Sequence, residues 1–209
     1  MSISLRDWIT PRYLSAPFLQ KLHTKFSSNN PFPHLVLPTL FLQEKLERVT
    51  RALQQENFHL KDADLFTFYQ TDDLKGTTNK ILLEFRDLLS SPEFIRFMSN
   101  IIGIRLIPRK IDLAGTLYTS THHLLPHDDH LENRKVAFML YLTTLQKKEG
   151  GALGLYASEK GKATTIVRRV QPLMNTFVFF VVSKKSFHEV EEVLSNQKRV
   201  ALSGWFYDQ

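Results

Sequence analysis

The sequence predicts an α+β fold that is mainly β: a jelly roll supported by N-terminal helices. Two observations predict it. Helical periodicity dominates up to about residue 103 and short strand-like runs dominate after it, an order that suits helices buttressing one face of a sheet structure. The second half divides into about eight such runs within about 105 residues, a number suited to a sandwich or small barrel. The length of 209 residues fits one domain, and 43% apolar content with 16 Phe supplies a core. One domain is therefore expected over residues 1–209, with 1–102 as mostly helical support and 103–209 as the jelly-roll core.

Residues 15–26 place Phe18, Leu19 and Leu22 on one stripe, and residues 40–53, after Pro38, place Leu42, Leu46 and Val49 on another. Residues 80–89 and 92–102 predict further short helices, the latter with Pro92 in its first turn. Between the helices the aromatic run LFTFY, residues 65–69, predicts a strand. The remaining strands are expected at 104–107, 114–119, 136–142, 152–156, 164–170, 176–182, 189–193 and 200–206, separated by Gly, Pro, Asn and Lys-rich turns.

The absence of cysteine excludes a disulfide framework and a thiolate metal site, so any metal must be held by His and carboxylates. The start MSISLRDWIT has no basic region followed by an apolar run, so no secretory leader is expected. The longest strongly apolar run, residues 177–182, is far short of the ~20 residues that cross a bilayer. No membrane partner is expected, and a cytoplasmic location is, or a nuclear one in a eukaryote. The net charge of +6 suits a Lys-rich solvated surface and, as the alternative, attraction to acidic surfaces, RNA-bearing particles among them; charge alone does not choose between the two. No Arg-Gly or Lys-aromatic interleaving accompanies it, so sequence-specific nucleic-acid binding is not expected.

The chemistry concentrates in PHDDHLENRKVAFMLYL, which runs from Pro126 to Leu142. His127 and Asp129 share parity, so in an extended segment both face one side and reach one ion, while Asp128 and His130 face the other. His188, in SFHEV after the Phe-rich strand, is the best third candidate. Two His and one carboxylate on one side of a metal leave adjacent positions open, the facial arrangement of non-haem Fe(II) oxygenases. Arg199 follows, opening the last strand on one face with Ala201, Ser203 and Trp205; a single Arg on such a face suits a bidentate clamp on a carboxylate. Taken singly, each has an ordinary alternative. His127 and Asp129 suit a solvated turn, His188 a strand-end histidine, and Arg199 an ion pair with Glu191 or Glu192. The other histidines are read as structural.

Beyond these residues the sequence resembles the catalytic domain of the Fe(II)- and 2-oxoglutarate-dependent ribosomal prolyl hydroxylases of the Tpa/Ofd type. The likeness is carried by NPFPHLVLP, DLFTFYQTDDL, LLPHDDHLENRKVAFMLYL, GGALGLY, VFFVVSKKSFHEVEEVLS and RVALSGWF, and covers roughly residues 15–206. It implies a double-stranded β-helix, with Fe(II) held by His127, Asp129 and His188. It also implies that Arg199 pairs with the distal carboxylate of 2-oxoglutarate and that Tyr141 hydrogen-bonds the same group. Tyr118 is implied as a second pocket tyrosine, with strand-core packing as its alternative. Leu124 is implied as a lining residue, and Ser203 is added on its parity with Arg199. Eukaryotic members carry a second, degenerate jelly roll after the catalytic one, which this sequence does not show.

The function so implied is hydroxylation of a prolyl residue in a protein, foremost the small-subunit ribosomal protein of the decoding centre. The cofactors are Fe(II), 2-oxoglutarate as co-substrate and O2, with ascorbate as a stimulant. Alternatives of the same chemistry are a hydroxylase of another protein or of a small molecule. A different class, a non-catalytic ribosome-binding jelly roll, stands beside them. A nucleic-acid demethylase is disfavoured because VALSGWFYDQ, after Arg199, carries no second Arg. Oligomeric state is left open.

Overall fold

A computed structural model describes residues 4–130 and 134–208, so residues 131–133 of the HDD-containing motif and the first three residues of the N-terminal stretch lie outside the described residues. Among the described residues four α-helices, α1 (Ala16–Ser28), α2 (Gln43–Leu53), α3 (Lys80–Ser90) and α4 (Pro92–Ile102), fall in the first half. The helices start where the chemistry directs. The Asn79 side chain accepts from Ile81 N–H at the head of α3, and Ser91 accepts from Phe94 N–H with Pro92 in the first turn of α4. Gly103, at φ 71, ends α4 in the left-handed conformation that glycine adopts without penalty.

Eleven strands follow and interleave: β1 (His34–Pro38), β2 (His59–Ala63), β3 (Phe66–Gln70), β4 (Leu106–Tyr118), β5 (His123–His127), β6 (Arg134–Tyr141), β7 (Leu153–Glu159), β8 (Lys162–Val170), β9 (Thr176–Val181), β10 (His188–Val190) and β11 (Arg199–Asp208). They hydrogen-bond in the order β1-β9-β6-β11-β4-β3-β5-β10-β7-β8, with β2 on β3. The predicted strands at 104–107 and 114–119 are one element, because β4 runs on past Pro108 and Arg109 (φ 63) while its partner β11 shifts register between Phe206 and Asp208. Strands β1, β2 and β5 were not expected. The second predicted helix begins at Gln43 rather than at residue 40, because Phe41 is taken up in a β-bridge with Ile9.

Alternation on the central strands explains their unbroken apolar sequences. Val136, Phe138 and Leu140 of β6, Phe177 and Phe179 of β9, and Leu202 and Phe206 of β11 join the helices in one core. Ala137, Met139 and Tyr141, with Val178, Phe180 and Ala201, turn inward against Leu153, Leu155 and Val170 of β7 and β8. Both faces are buried, so the strands read as continuous hydrophobic runs rather than alternating ones. The helices thus support one layer from outside, and the other face of that layer opens towards β5, β10 and β7. Among the described residues no helix is long and apolar enough to cross a membrane.

Candidate metal centre and carboxylate pocket

Strand β5 ends on His127 and β10 begins on His188, and the antiparallel register sets these two directly opposite, with ring centroids 4.2 Å apart. Asp129 does not arrive by the expected alternation. The chain leaves the strand after His127, His130 N–H bonds the Asp128 side chain at 3.0 Å, and Asp129 adopts φ 57, a left-handed conformation that Asp tolerates better than most residues. That turn, and not an extended segment, swings the carboxylate back between the histidines, 3.5 Å from each Nε2. Donor atoms of all three residues lie within 4.8 Å of one another, a spacing that one ion can bridge.

The histidines are aimed from behind. Nδ1 of His127 lies 2.8 Å from the Leu125 carbonyl, and Nδ1 of His188 lies 2.9 Å from the Ser186 carbonyl. A carbonyl only accepts, so each Nδ1 carries a proton and turns Nε2 to the site, where it faces Asp129 and would offer its lone pair to a metal. Burial alone pushes the Asp129 carboxyl up, but hydrogen bonds and charge from His127 and His188 outweigh it and hold the group well below the usual carboxylate range. Burial lowers His127, and the Asp129 carboxylate more than reverses this, leaving it above its ordinary value.

The three residues stand at one end of a cavity of about 350 Å³ whose lining includes Tyr118, Leu124, Ser203, Thr116 and Arg199. Arg199 is 1% exposed. It does not pair with Glu191 or Glu192: Glu191 is taken by Arg169 at 2.6 Å, and Arg199 Nε donates to the Gly151 carbonyl at 2.8 Å. A Cβ on Gly151, at φ +69, would meet Arg199 Cδ at 3.1 Å, so the second glycine of GGALGLY makes room for this side chain. The guanidinium carbon lies 5.0 Å from the Tyr118 ring centroid and 5.1 Å from that of Tyr141. Tyr141 does not line the cavity; it is wholly buried beside Arg199. The Tyr141 hydroxyl and Arg199 Nη2 are both buried without a hydrogen-bond partner, a pair of orphaned donors suited to an incoming carboxylate. Tyr118 is both a core aromatic, stacked on Phe68 at 5.0 Å, and a lining residue. Burial pushes both phenols up, against the pull of Arg199.

The structure brings His127, Asp129, His188, Arg199, Tyr118, Leu124 and Ser203 to one cavity and places Tyr141 behind Arg199, outside its lining. The fit of a metal and a carboxylate ligand rests on the N, N, O donor set and on the two orphaned donors. Trp205 was passed over, although its parity with Arg199 and Ser203 put it on the same face; its indole bonds Asp129.

Residues 113–207 match the 2OG-Fe(II) oxygenase superfamily. The chain is 40% identical over 181 residues to prolyl 3-hydroxylase OGFOD1 of Xenopus laevis, covering 85% of this chain and 35% of that protein. It is 34% identical over 213 residues to prolyl 3,4-dihydroxylase OGFOD1 of Ostreococcus tauri, covering 92% and 41% respectively. The chain thus spans well under half the length of these relatives. In fold it is similar to a Pseudomonas putida prolyl-4-hydroxylase, with TM-score 0.70 at 15% identity, covering 91% of this chain and 99% of that one. It is similar also to a Trichoplax adhaerens prolyl hydroxylase, with TM-score 0.69 at 14% identity, covering 94% and 96%. With this jelly roll and this His-Asp-His cluster, residues 113–207 form a domain of the 2OG-Fe(II) oxygenase superfamily, a family that implies Fe(II), 2-oxoglutarate and O2.

Proposed function

We propose that this chain hydroxylates a prolyl residue of a protein, foremost the small-subunit ribosomal protein of the decoding centre. The observation that carries the reading is the cavity itself, which joins a three-donor metal cluster to a buried Arg199 with an unpartnered Nη2. The names of the relatives, prolyl 3-hydroxylases in frog and mouse, support the prolyl substrate and favour C3 as the carbon attacked.

His127 and His188 would hold the iron through Nε2, and Asp129 through its carboxylate. Held there, Fe(II) would supply the oxidation that couples decarboxylation of 2-oxoglutarate to succinate and CO2 with prolyl hydroxylation, one oxygen atom of O2 entering succinate and the other the prolyl C–H bond. The protein positions and shields. Arg199 and the Tyr141 hydroxyl would take the distal carboxylate of 2-oxoglutarate, a charge-assisted contact strengthened by the burial of both residues. Leu124, Phe68 and Val190 keep the wall apolar. No side chain is assigned as a general base, since the bound iron would supply the C–H chemistry. A ribosomal substrate suits a cytoplasmic or nuclear setting.

The test is to add Fe(II) and then 2-oxoglutarate to the protein without oxygen and record the visible spectrum, beside Asp129→Ala. A weak charge-transfer band that needs 2-oxoglutarate and is lost in the variant is expected. Mass spectrometry of prolyl peptides and of whole extract then identifies the substrate by a gain of one oxygen. A folded, iron-loaded protein with no band would overturn the hydroxylase reading, and oxygen gained only at a non-prolyl site would overturn the substrate.

A further inference from the structure

We propose that Trp205 is a positioning residue of the metal centre: its indole N–H fixes the Asp129 carboxylate so that one oxygen is committed and the other is left for the ion. The proposal rests on the reading of His127, Asp129 and His188 as a metal site, and deepens it.

Asp129 stands on the loop beyond β5 at φ 57, so strand alternation does not aim its side chain. The aim comes from across the sheet. Trp205 Nε1 on β11 donates to Asp129 Oδ2 at 3.1 Å. That oxygen is also 3.5 Å from His188 Nε2, while Oδ1 faces His127 Nε2 at 3.5 Å. An indole is a donor only, so the bond has one sense whatever the state of the site. It is charge-assisted, and it occupies a lone pair of Oδ2. A carboxylate held this way keeps Oδ2 committed to the indole and would present Oδ1 to the ion.

Trp205 is itself held. The Arg134 guanidinium carbon lies 3.5 Å from its ring centroid, and the residue is paired on both sides, with Asp112 of β4 and Ala137 of β6. Its neighbour explains the glycine of SGWF: a Cβ on Gly204 would come within 1.8 Å of the Asp112 carbonyl oxygen, so only glycine lets β11 lie close enough to β4 at this point. Strand β11 thus serves the site twice, with Arg199 at its start and Trp205 near its end.

The experiment replaces Trp205 with 3-benzothienylalanine, which keeps the shape and puts sulfur where the N–H was; Trp205→Phe and Asp129→Ala stand beside it. Mn(II) affinity is read without 2-oxoglutarate from the electron paramagnetic resonance of the free ion. The KM for 2-oxoglutarate is measured separately at saturating Fe(II). The isostere is expected to weaken Mn(II) binding by about 10- to 100-fold, with melting temperature and the KM for 2-oxoglutarate unchanged. Trp205→Phe is expected to do at least as much. An isostere that binds Mn(II) as wild type does overturns the proposal. If Asp129→Ala also binds Mn(II) as wild type does, the metal-site reading falls with it.

Discussion

Replacing Arg199 with Met keeps the apolar stem and removes the charge, and the structure allows the two consequences to be worked separately. In the ligand-free protein the guanidinium gains a hydrogen bond to Gly151 O and two aromatic neighbours at 5.0 and 5.1 Å. Losing these costs about 1.5–3 kcal/mol for the charged hydrogen bond and about 0.5–2 kcal/mol for each ring. Against that, Nη2 is buried without a partner, and relieving an unmade bond of a buried charge returns about 1–3 kcal/mol or more. The sum leaves the ligand-free protein between unchanged and destabilised by about 6 kcal/mol, which the melting curves read directly. Binding of 2-oxoglutarate has no such offset. Removing one member of a desolvated charge pair costs about 2–5 kcal/mol, or roughly 30- to 4,000-fold in affinity. The assay is calorimetric titration of 2-oxoglutarate into Mn(II)-loaded protein, with melting curves alongside. Wild type at a hundredfold excess over Kd gains about 2.7 kcal/mol. For a chain of 209 residues that is about 5–11 °C in Tm. Arg199→Met at the same concentration is expected to gain about 0.9 kcal/mol at most, and Arg199→Lys, which keeps the charge but loses the fork, is expected to fall between it and wild type. An affinity for Arg199→Met within about threefold of wild type would refute the assignment of Arg199 to the co-substrate carboxylate.

Asp129→Ala and His127→Ala should each abolish succinate formation driven by the prolyl substrate, measured by mass spectrometry; full turnover in either would show that the ion is held elsewhere. Phe179→Ala, at a fully buried position between the sheet and α1, should cost about 3–5 kcal/mol in urea unfolding. Gly204→Ala should destabilise the fold by roughly 1–3 kcal/mol and weaken Mn(II) binding as well, since β11 must shift away from β4; wild-type values of both would contradict the close approach at Asp112. Burial, with Arg168 and Lys25 adding to it and the Phe32 carbonyl opposing, holds His34 below its ordinary value. At this residue the unfolded chain therefore takes up a proton first as pH falls, so the contribution of His34 to stability is full above about pH 6.5 and declines below it. In His34→Gln the urea midpoint should fall less between about pH 7 and about pH 5 than in wild type.

Elements whose apolar residues follow one period were legible. The helices 80–90 and 92–102 and the runs VAFMLYL and TFVFFV could be placed because burial on a stripe, or on both faces, leaves its mark in adjacent residues. Elements whose reason for existing lies elsewhere in the chain were not. Strand β2 is exposed throughout and is a strand only because β3 pairs with it. The strand β1, HLVLP, lies among prolines and is recruited by β9 through five register pairs from His34 to Pro38. In β5, His123–His127, side chains of intermediate burial and a proline conceal a strand that β3 and β10 define from either side.

The candidate site divides in the same way. By itself the sequence determined which groups can do the chemistry: no thiolate, an HxD followed by a distal His, and one Arg on the inward face of the last strand. Residue type and parity are local properties, and local properties survive in a linear text. Only the tertiary structure decided how those groups meet. Asp129 reaches the histidines through a left-handed turn rather than by alternation, His188 stands opposite His127 because β10 pairs with β5 in that register, and Arg199 is steered by a glycine carbonyl 48 positions away. Trp205 finds Asp129 across 76 positions. Such contacts are settled by strand register and by the packing of side chains within the sandwich, quantities that depend on the whole chain at once and that no short stretch of it encodes.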